Sequence, residues 1–282
     1  MTRKVVIDFF PESVLRYRQE YAVVAVDVIR ATTTIATAVS MGRRCFPVPS
    51  PEAAWRVAAR LSNPLLAGEL GGVIPHGFEI NNSPTELASR TDIFRPLVLL
   101  SSSGTKLIHL ARSCEAAYIA CFRNFEFLSK YLCSRQSRIA LIGAGSRGQR
   151  REEDQICCAW MARQLMESGY VADNRETDEM VERWSGVNAD IILSGPSADY
   201  LTQSGQGCDL AFILTHIADL EWGFTLQGDQ VVGFSSAEVE FVYSGHVRGR
   251  GEPVIGDLQK SQIPNLKLET NSESKSQISD RR

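Results

Sequence analysis

The stretch VVAVDVIRATTT, Val23 to Thr34, decides the fold. Its first half is continuously apolar and β-branched, as in a strand buried on both faces, and it ends in a carboxylate, Asp27. Arg30 and three threonines, Thr32, Thr33 and Thr34, follow and open an apolar helix, IATAVSMG. A strand whose carboxyl end runs into a helix N-terminus is where α/β proteins hold anions, because unpaired backbone N–H groups and the helix dipole point outward there. The same residues also suit a plain buried strand with a threonine N-cap and an ion pair, so the rest of the chain must decide.

Outward from this stretch the pattern repeats. Strands are expected at 4–9, 22–27, 44–48, 64–69, 96–102, 115–121 and 138–145. Helices are expected at 11–20, 32–41, 51–61, from Ser83-Pro84, from Ser103-Gly104-Thr105, and over 124–134 and 152–168, with Ser50 as an N-cap. Alternation of this kind predicts a three-layer α/β/α fold with a largely parallel or mixed central sheet. From Asp173 the chain becomes more helical, with segments at 176–184, 188–204 and 207–219 inside a helical subregion, 173–225. A last strand pair is expected at 231–235 and 239–244. Residues 1–248 are read as a single α/β domain, and 249–282 as a disordered polar tail.

The totals bound the function. Of 282 residues, 44% are hydrophobic and 22% charged, and the net charge is -3. That acidic balance argues against a nucleic-acid partner. No apolar run reaches the roughly 20 residues of a membrane span. The N-terminus lacks the apolar core of a signal peptide, and the seven cysteines are odd in number and scattered. They read as reduced thiols of a cytoplasmic protein. No C-x-x-C pair occurs and the four histidines are far apart, which argues against structural zinc.

Four stretches lie just past the carboxyl ends of expected strands: Asp27, Glu69, Ser101 to Thr105, and Gly143 to Gly148. In a mostly parallel sheet these ends line one rim, so one cleft is expected there. The acids Asp27, Glu69, Glu153 and Asp154 offer the hard oxygens that suit Mg2+. Arg30, Thr32, Thr33, Asn82, Ser83, Ser103, Gly104, Thr105 and Arg147 offer donors for a phosphate or sulfonate, although Ser83 and Ser103 also suit simple helix caps. His76, in the long loop after Glu69, is a candidate general acid or an ordinary loop residue.

Two motifs mislead. GAGSRG, Gly143 to Gly148, has the form of a dinucleotide fingerprint, but it comes mid-chain and runs into the charged QRREED. C-x5-R, Cys157 to Arg163, has phosphatase spacing, but its CAWMA core has no glycine and lies within an expected helix. A D-x-D-x-T nucleophile motif and a G-x-S-x-G elbow are absent.

DVIRATTT, then GELGGVIPHGFEINNSPTE, SSSGT and GAGSRGQRREEDQ, in this order over about residues 5–170, resemble the 2-phosphosulfolactate phosphatase (ComB-like) family. The resemblance implies an α/β, magnesium-dependent acid phosphatase. Its family reaction converts 2-phosphosulfolactate to sulfolactate and phosphate on the route to coenzyme M. The resemblance marks Asp27, Arg30, Thr32, Thr33, Glu69, Gly77, Asn82, Ser83, Pro84, Ser103, Gly104, Thr105, Gly145, Gly148, Glu153 and Asp154. Two departures stand out. Gly143 replaces the family's usual cysteine, and Ser102-Ser103 replaces Thr-Asn before Gly104-Thr105.

The expectation is therefore a phosphoric monoester hydrolase acting on a small anionic substrate. Asp27, Arg30, Glu69 and Asp154 are the catalytic candidates, with Asp27, Glu69 and Asp154 as metal ligands. A non-catalytic phosphometabolite-binding protein and a dinucleotide-binding enzyme are the alternatives, and a homodimer is left open.

Overall fold

The computed structural model describes residues 2–146 and 148–235, which form one ten-stranded sheet with helices on both faces. In chain order the strands are β1 (Lys4–Phe9), β2 (Ala22–Val26), β3 (Cys45–Val48), β4 (Leu65–Gly68), β5 (Leu97–Leu100), β6 (Ala117–Ala120), β7 (Arg138–Gly143), β8 (Val171–Ala172), β9 (Gly223–Gln227) and β10 (Gln230–Phe234). The helices are α1 (Val14–Tyr17), α2 (Ala31–Ser40), α3 (Pro51–Ala58), α4 (Pro84–Ser89), α5 (Gly104–Ala111), α6 (Phe125–Cys133), α7 (Glu152–Glu167), α8 (Arg175–Trp184), α9 (Pro196–Gln203) and α10 (Gly207–Thr215). The expected three-layer α/β/α class holds. Arg147, the strand expected at 239–244, the domain boundary at 248 and the polar tail 249–282 lie outside the described residues. No helix among the described residues is long and apolar enough to cross a membrane.

Period-2 alternation builds the layers. Val5, Ile7 and Phe9 of β1, with Val24 and Val26 of β2, face α6, α7 and the C-terminal helices. Val6, Val23 and Ala25 face the opposite way, into a core shared with Ile35 of α2, Leu107 and Ile108 of α5, and Leu97 and Leu99 of β5. Phe46, Val48, Leu66, Val98 and Leu100 turn outward onto α3. Each fully buried side chain of this size contributes about 1.5–3 kcal/mol.

The sheet order is β4-β5-β3-β10-β9-β6-β2-β7-β1-β8. It contains two parallel arms, β4-β5-β3 and β6-β2-β7-β1-β8, joined by the antiparallel β9-β10 hairpin. That hairpin reverses direction, so the two arms run opposite ways in the ladder. Sheet twist of roughly 20–25° per step, over the five steps from β5 to β2, accumulates to about 100–125°. The curled sheet encloses α2 and α5, with α5 packed on both β2 and β3. In this way the carboxyl ends of two oppositely directed arms reach one place. The rim expected from a single parallel sheet is made by twist instead.

The C-terminal third departs locally from expectation. β10 pairs with β9, a strand the reading left out, through a turn at Gly228 with φ +60. Gly228-Asp229 between GFTLQ and QVVGF is the hairpin signal. The helix expected over 188–204 is a 3-10 turn, Ala189–Ser194, and α9, separated at Gly195 because the residue before Pro196 is held extended. Trp55 of α3 is 47% exposed, because α3 is the outermost layer there.

Candidate active site

Asp27 follows β2 directly and is 6% exposed. Its Oδ1 accepts the Ala31 amide at 3.2 Å, the first N–H of α2. Asp154, in the first turn of α7, is 2% exposed, and its Oδ1 accepts the Val28 amide at 2.9 Å. Glu153 beside it is also buried and accepts the Ser197 hydroxyl at 2.6 Å. Three carboxyls thus share a small buried region, and among the described residues no guanidinium is bonded to any of them.

The electrostatic consequence is direct. Burial pushes Asp27 up to about 7, with the charges of Glu69 and Glu153 adding to the rise and the Ala31 amide and Arg30 opposing it. Burial, then the charges of Asp27 and Glu153, push Asp154 well above the usual carboxylate range. Burial raises Glu153 too, against the Ser197 hydroxyl. Such a group is more stable holding protons or a cation than fully ionised.

A cavity of about 650 Å3 opens beside these acids. Asp27, Arg30, Glu69, Asn82, Ser101 to Ser103, Ala144 to Ser146, Arg151, Asp154, Ser197 and Tyr200 are among its lining residues. The four sequence stretches expected at one rim therefore converge. The first turns of α2, α5, α7 and α9 all border it, and none has a side-chain N-cap. The first two amides of α2 are taken by Asp27 and α7 opens with acids, so the N–H groups at the starts of α5 and α9 are the ones suited to anionic oxygens. By contrast α3, α4 and α8 are capped by Ser50, Ser83 and Asn174.

The individual side chains sort differently from expectation. Glu69 lines the cavity, but Oε1 accepts the Ser102 amide at 2.8 Å, and Oε2 accepts the Gly72 amide at 2.8 Å and the Ser102 hydroxyl at 2.9 Å. It ties the loop after β4 to the loop before α5. Arg30 is 5% exposed and pairs with Asp209 at 2.6 Å, while also donating to Gln206 and to Asn81 at 3.1 Å. Ser83 donates to the same Asp209 at 2.6 Å and caps α4, so it faces away from the cavity.

The hydroxyls of Thr32, Thr33 and Thr105 donate to the carbonyls of Asp27, Val28 and Ser101. All three threonines are fully buried, and their hydroxyls brace the turns where a phosphate contact was expected. Gly104 is needed for space: a Cβ there would lie 2.0 Å from Asp27 Oδ2. Asn82 is 2% exposed, and its Oδ1 has no hydrogen-bond partner among the described residues. His76 is exposed and outside the cavity lining. Cys157 is buried in α7 while Arg163 is turned outward to Glu167, so the C-x5-R match makes no loop.

Several residues of the site escaped the sequence reading, among them Asp209, which lies behind Arg30 and not in the cavity wall. Arg151 and Gln149 lie in the charged run after GAGSRG. Tyr200 of α9 donates to the Gly72 carbonyl at 2.8 Å and closes one wall. Asp209, in the first turn of α10, neutralises Arg30. Only the lone acid at a helix start marked Asp209 in advance.

Among the described residues no three acidic, histidine or cysteine side chains gather closely enough to hold a metal ion. A pair of carboxylates is enough for Mg2+, which keeps most of its waters and takes phosphate oxygens from its substrate. Asp27 and Asp154 offer a pair of that kind: both are buried and both line the cavity. Oxygen donors of this kind suit the ion, and Glu69, bonded to Ser102 and Gly72, lines the same cavity.

The model of the family described as 2-phosphosulpholactate phosphatase matches residues 8–219, a span that includes every residue lining the cavity. A probable 2-phosphosulfolactate phosphatase of Carboxydothermus hydrogenoformans is 30% identical over 207 residues, covering 72% of this chain and 82% of that protein. One of Symbiobacterium thermophilum is 30% identical over 198 residues, covering 67% and 84%. One of Synechocystis is 32% identical over 154 residues, covering 52% and 62%.

Proposed function

The chain belongs to the 2-phosphosulpholactate phosphatase family, phosphoric monoester hydrolases by name, and from that premise we propose that it hydrolyses 2-phosphosulfolactate with Mg2+. The observation that carries the reading is the charge of the cavity. Three acids, Asp27, Glu69 and Asp154, and two arginines, Arg30 and Arg151, line it, and Arg30 is already neutralised by Asp209. A polyanionic substrate would be repelled from such a site unless a divalent cation joined it.

Asp27 and Asp154 would hold the cation, which supplies charge neutralisation at the phosphoryl oxygens and eases deprotonation of water. The amides at the starts of α5 and α9 would stabilise the equatorial oxygens as charge spreads in the transition state. Water is the proposed nucleophile; a thiol is not available for the role, because no cysteine lines the cavity and Cys157 and Cys158 are buried with thiols pushed well above their usual range by burial. The Thr32 and Thr33 hydroxyls hold the turn after β2 and the Thr105 hydroxyl the turn into α5, and Glu69 and Tyr200 fix the opposite wall.

The dinucleotide alternative fares worse on this geometry. The first turn of α7 presents buried Glu153 and Asp154 where a pyrophosphate would need donors. The proposal extends to a cytoplasmic protein whose product, sulfolactate, feeds coenzyme M formation. Its test is phosphate release from a panel of phosphomonoesters, with and without EDTA. Release of phosphate that chelation stops supports it. Tight binding without release would make the protein a phosphometabolite binder instead.

A further inference from the structure

Two guanidiniums border the cavity, and they are not equivalent. Arg30 has a buried counter-ion in Asp209, and its NH1 and NH2 nitrogens are already bonded to Gln206, Asp209 and Asn81. Its charge is cancelled and its geometry fixed from behind. Arg151 has neither restraint. It lines the same cavity, is half-buried, and makes no side-chain hydrogen bond or ion pair among the described residues. Its neighbour Arg150 pairs with Glu176 and lies over the Phe9 ring, turned away from the cavity. Asn82, across from it in the lining set, adds a buried amide with an unpaired oxygen. Among the described residues the wall therefore keeps one guanidinium with no side-chain hydrogen bond, its charge felt by the buried Glu153.

We propose that Arg151 is the specificity-determining residue, pairing with a second anionic group that the substrate carries within one or two carbons of its phosphate ester. This deepens the phosphatase reading and rests on it. The reasoning is a matter of charge placement. The phosphoryl group has the helix N-termini and the acid-held cation. For a carboxylate or sulfonate on the same carbon skeleton, the arginine on this wall without an ion pair among the described residues is Arg151. A guanidinium suits either group, because its fork donates two N–H bonds to paired oxygens. Arg151 contributes through its side chain, while its backbone carbonyl accepts the Gln155 amide of α7. A side-chain change there leaves the helix start intact.

The experiment compares four secondary phosphate esters of one skeleton, with Mg2+ present. Isopropyl phosphate has no second anion, 2-phospholactate adds a carboxylate, 1-sulfopropan-2-yl phosphate adds a sulfonate, and 2-phosphosulfolactate has both. Arg151→Gln should lower kcat/KM about 10- to 100-fold on the esters whose second anion it reads, mainly through KM, and leave isopropyl phosphate unchanged. Arg151→Lys should recover part of the loss, since it keeps the charge without the fork. The middle two esters tell whether carboxylate or sulfonate is the group read. An equal loss on all four esters, or no loss on any, overturns the assignment of Arg151 while the phosphatase reading stands. Wild-type protein that releases phosphate from none of the four sinks the phosphatase reading, and this proposal with it.

Discussion

Gly104 and Asp27 are in contact across the meeting point of the two sheet arms. A Cβ at 104 would stand 2.0 Å from Asp27 Oδ2 and 2.6 Å from the Ala31 Cβ. The first residue of α5 thus sets where the carboxylate at the end of β2 can lie. Gly104→Ala should displace Asp27 and lower turnover about 100-fold, the size of effect expected for an ångström of misplacement. Circular dichroism should show the fold retained. Turnover near that of the wild type would mean that the position of Asp27 does not matter.

Removing one buried charge from the acid group should separate stability from activity. Asp27→Asn should cut phosphate release about 100-fold or more. It should also raise the melting temperature of the metal-free protein, because it relieves Asp154 and Glu153 of a buried negative neighbour. Calorimetry on chelator-treated samples reads this directly. A variant that is both less stable and fully active would contradict the role given to the acids.

The Arg30–Asp209 pair is buried at 4% and 2% side-chain exposure. Asp209→Asn leaves an unpaired guanidinium inside the protein and also weakens the contacts of Asp209 with Ser83 and the Thr85 amide. Breaking a buried pair in this way costs about 3–5 kcal/mol. Urea unfolding should show a loss of that size, and a loss below about 1 kcal/mol would place the pair in water.

Away from the cavity, Asp92 gives a pH signature. The Arg90 side chain, opposed by partial burial and helped by Arg43, holds its carboxyl well below the usual 3.8. An acid depressed in the folded state stabilises the protein above its unfolded pKa and loses that contribution as pH falls. Asp92→Asn should therefore lower the melting temperature at pH 7 and shrink the wild-type advantage below about pH 4. A constant difference between the two proteins down to low pH would remove Asp92 from the acid response.

Local chemistry made much of this molecule legible in its sequence. Ser50 caps the helix it was expected to cap, Ser83 proves to be the helix cap that was its alternative reading, and Asp27 ends a buried strand at a helix start beside the cavity. What stayed hidden depends on partners distant in the chain or on rotamers. Nothing near Arg30 announces that Asp209, 179 residues away, cancels its charge. A threonine at a helix start reads as a ligand donor until its hydroxyl is seen on a carbonyl, as for Thr32 and Thr105. The convergence of rims was expected for the wrong reason, since a two-strand ribbon reverses the arms and twist brings their ends together. Arg151 was overlooked in a charged run because which of several adjacent arginines turns inward is a property of the folded wall.

The most direct test of the central claim is a magnesium titration of chelator-treated protein, following phosphate release from 2-phosphosulfolactate for the wild type and Asp154→Asn. Wild-type release should rise from background to saturation with added Mg2+, and the variant should need far more of the ion or never respond. Release that persists at full rate without any divalent ion, or a variant titration identical to the wild type, would contradict the claim that these acids hold a cation for the phosphoryl group.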